Sequence, residues 1–224
     1  MISMAFSFNQ FKLYNELAPK VQGKHVLLCC TGPSITSYKN HIHSLAAQKD
    51  VIVWGVNNAH PFINLDIHIW GEWPRWRKFR KNIRAESIFL FPPLRRFLKV
   101  IHEWSEPHKN RKVYLYKYAE TPVSKGGLRF EDGCMYGCFA NTGCISIYLS
   151  YLLRARQISV VGMDGYMTGN TFAHYSQELI VKKEEHSAND KLTAQFLCRA
   201  REINIPFKIL TPTMFTESAS KEWL

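Results

Sequence analysis

The chain has 224 residues, of which 46% are hydrophobic and 13% aromatic, and it carries a formal net charge of +11. This composition is typical of a folded globular protein and excludes a disordered chain. No window approaches 18 uninterrupted apolar residues, which argues against a membrane-spanning helix. The mildly apolar start lacks the basic cluster of a signal peptide, so we expect a cytoplasmic protein whose six cysteines are reduced.

Short apolar runs alternate with helical patterns along the chain. The predicted strands are residues 24–30, 51–56, 67–70, 87–91, 112–118, 158–161 and 207–210, and the main predicted helices are 72–84, 94–104, 142–153 and 188–203. This alternation is typical of βαβ units. The sequence therefore predicts one Rossmann-like α/β domain over residues 1–224, with a mostly parallel sheet flanked by helices. Residues 119–137, rich in glycine and charge, predict a flexible loop near the site.

Polar groups follow several of the predicted strands. Thr31-Gly32-Pro33-Ser34 follows the first strand, and Asn57 follows the second. Ligands of open α/β sheets bind at the carboxyl ends of the strands. The first turn is either an anion-binding turn, in which N–H groups and Ser34 meet a phosphate, or an ordinary strand-to-helix turn. The Asn57 amide either contacts a base or a sugar, or forms an Asx turn.

The second half of the chain adds a carboxylate, a histidine and two tyrosines. Asp164, in Gly162-Met163-Asp164-Gly165-Tyr166, either holds a ribose hydroxyl or shapes the loop by accepting backbone N–H bonds. His186 lies just before the last predicted helix and suits general-base chemistry, although a surface histidine beside glutamates is usually inert. Tyr166 and Tyr175 either donate O–H bonds to a phosphate or simply pack. No Asp-x-Asp pair occurs, so we expect that no metal is required.

Nine Lys or Arg residues lie between Arg75 and Lys99, with tryptophans interleaved. This segment has three interpretations. It binds an anionic membrane surface, it binds nucleic acid, or it is a solvated helix face whose aromatic side chains pack inward. The composition favours the solvated face, then the membrane surface, and nucleic acid least.

In this order, the motifs of residues 24–215 resemble the bacterial family 42 sialyltransferases and the related DUF115-type proteins. Gly32-Pro33-Ser34 resembles the family's nucleotide-binding turn, with Thr31 where the family has Asn, and Asn57 resembles its nucleotide-contacting Asn. Asn141-Thr142-Gly143 takes the place of a donor-holding Thr-Ser-Gly turn. Tyr166 matches a tyrosine that contacts the leaving phosphate, and Phe172 falls where the family has a second tyrosine. His186-Ser187-Ala188-Asn189 is similar to the family's His-Ser-Lys-Asn, whose His is the general base.

The resemblance implies an inverting glycosyltransferase with a variant of the GT-A fold. It would move a sialic-acid-like sugar from a CMP donor to a hydroxyl of a glycan or of a glycolipid such as lipooligosaccharide, with no cofactor or metal. The implied catalytic residues are His186 and Tyr166. The implied donor-binding residues are Thr31, Gly32, Pro33, Ser34, Asn57, Asn141, Thr142, Gly143, Asp164 and Phe172.

The expected partners are the nucleotide sugar, the glycan or glycolipid acceptor, an anionic inner-membrane face and a second copy of the chain; nucleic acid is not expected. One alternative is a DUF115-type pyrophosphokinase that acts on a pterin with ATP and Mg²⁺. The other is a non-catalytic nucleotide-binding module.

Overall fold

The computed structural model describes residues 12–104, 111–121, 127–167, 174–175 and 183–222. Within these ranges the strands are β1 (His25–Cys29), β2 (Val51–Val56), β3 (Ile67–Ile69), β4 (Ile88–Phe91), β5 (Val113–Leu115), β6 (Lys117–Glu120), β7 (Arg129–Glu131), β8 (Cys134–Gly137), β9 (Gln157–Val161) and β10 (Phe207–Ile209). The α-helices are α1 (Lys12–Val21), α2 (Lys39–Ala46), α3 (Trp73–Phe79), α4 (Arg95–Trp104), α5 (Thr142–Leu152) and α6 (Lys183–Glu202).

Seven strands form one parallel sheet in the order β10-β9-β1-β2-β3-β4-β5. The fold is therefore α/β and Rossmann-like, as the sequence predicted. From β1 the chain proceeds through β2 to β5 on one side, and it later adds β9 and β10 on the other. The reversal of strand order places a crevice between the carboxyl ends of β1 and β9, where open α/β sheets bind ligands.

Both faces of the sheet are covered, which explains the nearly continuous apolar strands. Val26 and Leu28 of β1 pack into the cluster that contains α1, α5 and α6. Leu27 and Cys29 point to the opposite face and pack against Ile42 of α2. Alternate side chains of a strand point to opposite faces of the sheet. A strand that is buried on both faces is therefore apolar along its whole length and shows no alternation of polar and apolar residues.

The predicted strand at 112–118 is two strands in two sheets. β5 is the edge of the main sheet, and β6 belongs to a small sheet of order β6-β8-β7. Tyr116 separates them, and its phenol donates to the Trp70 carbonyl at 2.9 Å. The strand is interrupted at Tyr116 because this side chain is buried and hydrogen-bonded. The alternating sequence pattern gives no sign of the interruption.

The loop expected at 119–137 is largely replaced by strands. β8 pairs in parallel with β6 and antiparallel with β7, so most described residues of this stretch are hydrogen-bonded in a sheet. The turn between β7 and β8 has Asp132 and Gly133 at φ +48° and +70°, which makes it a tight hairpin. The Gly and Asp residues that indicated a loop mark this turn, whereas residues 122–126 lie outside the described ranges.

Helix α6 begins at Lys183, five residues before the predicted start, so His186 lies in its first turn and not in a preceding loop. Lys and Glu at 183–185 are good helix formers, and the helix begins with them, ahead of Ser187 and Asn189. The difference matters because a helix fixes the direction of a side chain more firmly than a loop does.

The basic aromatic segment contributes its rings to the core. Trp70 and Trp76 are fully buried and pack edge-to-face with ring centroids 5.1 Å apart. Trp76 also contacts Phe91 and Trp104. Eight of the nine cations are exposed: Arg77, Lys78, Arg80, Lys81, Arg84, Arg95, Arg96 and Lys99. The inward-packing interpretation therefore holds for these tryptophans, and membrane binding by the exposed cations stays a prediction.

Candidate functional site

A cleft of about 90 Å³ opens at the carboxyl ends of β1, β2 and β9. Eight of the predicted site residues line it, contributed by four separate stretches of the chain: Thr31, Gly32, Asn57, Asn141, Thr142, Gly143, Asp164 and Tyr166. Whole small-molecule sites usually enclose about 300–1,000 Å³. The cleft therefore accommodates a phosphate- or ring-sized part of a larger ligand.

The turn after β1 is tied to the loop after β9. The Ser34 N–H and Oγ–H donate to the two Asp164 carboxylate oxygens at 2.8 and 2.5 Å. A Cβ on Gly32 would lie 2.6 Å from Asp164 Cγ and from the Gly162 carbonyl oxygen, so only glycine permits this approach.

Both donors of Ser34 are bonded to a carboxylate in this arrangement, and a phosphate contact of Ser34 stays a prediction. Of the two interpretations of Asp164, loop shaping is the one supported by hydrogen bonds. Burial raises the pKa of Asp164, and the bonds from Ser34 oppose that shift. Pro33 begins a 3₁₀ turn over Pro33–Thr36 and lies with Ser34 outside the lining of the cleft.

Asn57 is held in a left-handed conformation, φ +47°, which asparagine tolerates better than most residues. Its Oδ1 accepts from the Gly71 N–H at 3.1 Å, and its Nδ2 donates to Glu72 Oε1 at 3.3 Å. The buried His68 ring is hydrogen-bonded to the Asn57 carbonyl through Nε2. A carbonyl only accepts, so Nε2 carries the proton. The Asn57 amide thus joins the ends of β2 and β3 at the cleft wall.

Asn141 is the N-cap of α5. Its Oδ1 accepts from the Cys144 N–H at 3.0 Å, and its Nδ2 donates to Thr193 Oγ1 at 3.0 Å. The side chain therefore fixes the start of α5 and ties it to α6. The first turn of α5, with Thr142 and Gly143, faces the cleft. The partial positive charge of a helix N-terminus favours an anionic group there.

Tyr166 and His186 lie against each other at the edge of the cleft. Their rings stack with centroids 4.1 Å apart and planes 12° apart. Tyr166 lines the cleft, whereas His186, on α6, is half-buried and is not part of the cleft lining. His186 Nδ1 is buried and has no hydrogen-bond partner among the described residues. The stack places a phenol and an imidazole together where β9 ends.

Asp190 explains why this stack forms, and the sequence interpretation missed it. Its buried carboxylate accepts the Tyr166 N–H at 3.0 Å and the Met167 N–H at 2.9 Å. Burial raises the pKa of Asp190, while these bonds and the nearby His186 lower it. Asp190 follows His186 by four residues, which is the spacing of neighbours on one helix face, and that was the available signal.

Arg75 is a second missed residue. Its guanidinium lines the cleft, with Nε 3.0 Å from Glu72 Oε2 and Nη1 donating to Asn58 Oδ1 at 3.0 Å. Burial raises the pKa of Tyr166; Glu72 adds to the shift and Arg75 opposes it. The two charged side chains therefore act on the phenol. A run of nine cations gave no indication that this one turns inward.

The sequence indicated two further aromatic candidates for the site, Tyr175 and Phe172. The Tyr175 phenol donates to the Asn58 carbonyl at 3.0 Å, and its N–H donates to the Thr31 carbonyl at 2.9 Å. It therefore packs as part of the cleft's surroundings, which was one of its two interpretations. Phe172 lies outside the described residues.

A more apolar groove of about 560 Å³ runs along α6 beside the cleft. Ser187, Ala194 and Leu197 of α6 form one wall, and Asp190 and Phe215 line both the groove and the cleft. Asp190 lies one helical turn after His186 on the same face of α6, so the part of the groove that Asp190 lines is near the imidazole.

Within the described ranges, no group of three or more His, Cys, Asp or Glu side chains is arranged to hold a metal ion. In the same part of the chain, none of the helices combines the length and apolar character needed to cross a membrane.

The fold and the cleft define a doubly wound α/β protein with a cleft at its topological switch point, where proteins of this class bind ligands. No family model matches the chain, and no curated protein matches it. Two solved structures of a mammalian sialyltransferase align with it. The complex with Gal-beta-1-3GalNAc-ortho-nitrophenol is 11% identical with a TM-score of 0.45, over 92% of this chain and 81% of that one. The other is 10% identical with a TM-score of 0.46, over 93% and 82%. Similarity at this level does not identify an activity.

Proposed function

We propose that the protein is an inverting glycosyltransferase that uses a nucleotide sugar, with a CMP-activated acidic sugar as the favoured donor. The observation that carries the proposal is the stack of Tyr166 on His186 at the carboxyl end of β9. The motif resemblance assigns His186 to the attacking hydroxyl and Tyr166 to the leaving phosphate of the same displacement. Their contact brings both side chains to one edge of the cleft, and because the reacting carbon must lie between the base and the leaving phosphate, the proposal requires the stack to open when the donor binds.

The proposed reaction is a single displacement. An acceptor hydroxyl attacks the anomeric carbon, the bond from that carbon to the phosphate oxygen breaks, and CMP leaves. His186 takes the proton of the attacking hydroxyl, and we assign this role to Nε2 because Nδ1 is buried. The Tyr166 phenol, whose raised pKa keeps it protonated, donates a hydrogen bond to the departing phosphate.

The donor and acceptor are proposed to approach from different sides. The phosphate end of the donor fits the small cleft, beside the first turn of α5. The acceptor is proposed to occupy the groove along α6, with its hydroxyl near Asp190 and directed at His186 one helical turn away. The apolar walls suit the apolar face of a sugar ring or the alkyl part of a glycolipid. A metal is not required in this proposal.

His186→Ala tests the proposal. We expect turnover to fall by about 10²–10⁴ with donor affinity nearly unchanged, since the imidazole acts on the acceptor. The measurement is CMP release from CMP-activated sialic acid with glycan acceptors, alongside a thermal-shift panel of CMP, CDP, UDP, GDP and ATP. His43→Ala, an exposed histidine on α2, is the control. Equal turnover in the two variants, or stabilisation by ATP alone, would contradict the proposal.

A further inference from the structure

The run of cations in the basic aromatic segment contains one exception. Eight of its nine Lys and Arg side chains are exposed, and Arg75 alone among them lines the cleft. Its side chain is 14% exposed, although it lies on the same short helix as the exposed Arg77. A cation in a cleft wall loses hydration, and that cost needs a compensating interaction.

The compensation from the protein is partial. Glu72 and Asn58 each accept one guanidinium N–H, and no other partner of Arg75 lies among the described residues. A guanidinium carries five N–H groups in a fixed fork, so three have no acceptor within the described part of the chain. Such a fork matches the paired oxygens of a phosphate better than an ammonium does.

The guanidinium is also held in place by a chain of polar contacts. Glu72 is bonded on its other oxygen by the Asn57 amide, and Asn57 is fixed by the Gly71 N–H and by the buried His68 ring. Glu72 therefore connects Arg75 to the ends of β2 and β3. A cation positioned before the ligand arrives loses little conformational entropy on binding.

The cleft already contains the other parts of an anion site. The first turn of α5 lines it together with Arg75, and Tyr166 lies close enough for the guanidinium charge to act on its phenol. The three groups come from α3, α5 and the loop after β9. They line a space of about 90 Å³, which is large enough for a phosphate group. The carboxylates of Glu72, Asp164 and Asp190 line the same space, but those of Asp164 and Asp190 already accept N–H or O–H bonds from the protein.

We propose that Arg75 binds the phosphate of the nucleotide donor and stabilises its charge as it leaves, with Glu72 setting the strength of that interaction. The inference rests on the proposed function for the identity of the ligand as a donor. It assigns the counter-charge, which divalent ions supply in many nucleotide-sugar enzymes, to a side chain of this protein.

The test measures binding of four nucleoside 5′-monophosphates and their parent nucleosides by calorimetry, so that the phosphate contribution is isolated for any base. Arg75→Ala is expected to weaken the monophosphate that binds by about 10–100-fold and to leave its nucleoside unchanged. Arg75→Lys, which keeps the charge but loses the fork, is expected to recover part of the loss. Arg77→Ala is the matched control and should change neither.

Glu72→Gln gives the opposite sign. The Gln carbonyl oxygen can keep the bond from Arg75 Nε at the expense of the longer 3.3 Å bond from Asn57, and the competing negative charge is removed, so monophosphate affinity should rise several-fold. The inference is overturned if Arg75→Ala behaves like Arg77→Ala, or if none of the monophosphates binds more tightly than its nucleoside. Failure of the proposed function has a different signature: the Arg75 effect on monophosphate binding persists while no sugar is transferred.

Discussion

Replacing Asp190 tests the link between α6 and the loop that carries Tyr166. Asp190→Ala leaves the Tyr166 and Met167 N–H groups without their acceptor. An unsatisfied buried N–H costs about 1–3 kcal/mol. Met167 is 39% exposed, so water can reach its N–H, and the total loss should be about 2 kcal/mol. Asp190→Asn keeps one carbonyl acceptor and should cost about half as much.

The assay is urea unfolding, with the NMR shift of the His186 ring as a second readout. A ring 4.1 Å from Tyr166 experiences a ring-current shift that disappears when the loop moves away. Asp50→Ala is the control because Asp50 is an exposed carboxylate paired with Arg156, and such pairs contribute little. If Asp190→Ala is no more destabilising than Asp50→Ala, or if the His186 shift is unchanged, Asp190 does not organise the stack.

Two other outcomes are expected. His68 is fully buried, and burial lowers its pKa to about 3, against the opposing effect of its bond to Asn57. The unfolded chain therefore binds a proton below about pH 6.5 that the folded chain does not, so the folded state becomes less stable as the pH is lowered. At pH 5 the His68 contribution should reduce the free energy of unfolding by about 2 kcal/mol. Urea unfolding at pH 7.5 and pH 5 measures the loss, which His68→Gln should reduce, and an unchanged pH dependence in that variant would contradict the assignment. For the reaction, sugar transfer should persist in EDTA because the sequence has no Asp-x-Asp pair; strict Mg²⁺ dependence would favour the pyrophosphokinase alternative.

Much of the architecture follows from local sequence. The apolar runs that became β1, β2, β4 and β9 are short and bounded by Gly, Pro or Asn, so a strand is the element that fits them. Their alternation with helical segments implies parallel pairing. Because the carboxyl ends of parallel strands share one edge of a sheet, the sequence alone is enough to assign Thr31, Asn57 and Asp164 to one site.

Local patterns did not indicate the length of α6 or the small sheet. The Ser and Asn after His186 are common helix caps, yet the preceding Lys and Glu extend the helix. The segment 129–137 contains turn residues that suit both a loop and a tight hairpin. Pairing of β8 with β6 decides between them, and that pairing depends on the chain leaving the main sheet after β5.

The sequence by itself determined the α/β class, the edge of the sheet that carries the site, and the candidates His186 and Tyr166. Only the tertiary structure decided their surroundings: that β9 lies beside β1, that Asp164 uses both donors of Ser34, and that Arg75 turns into the cleft. The physical reason is that local periodicity reports which face of an element is buried, whereas hydrogen bonds between residues 130 positions apart depend on the order in which strands assemble.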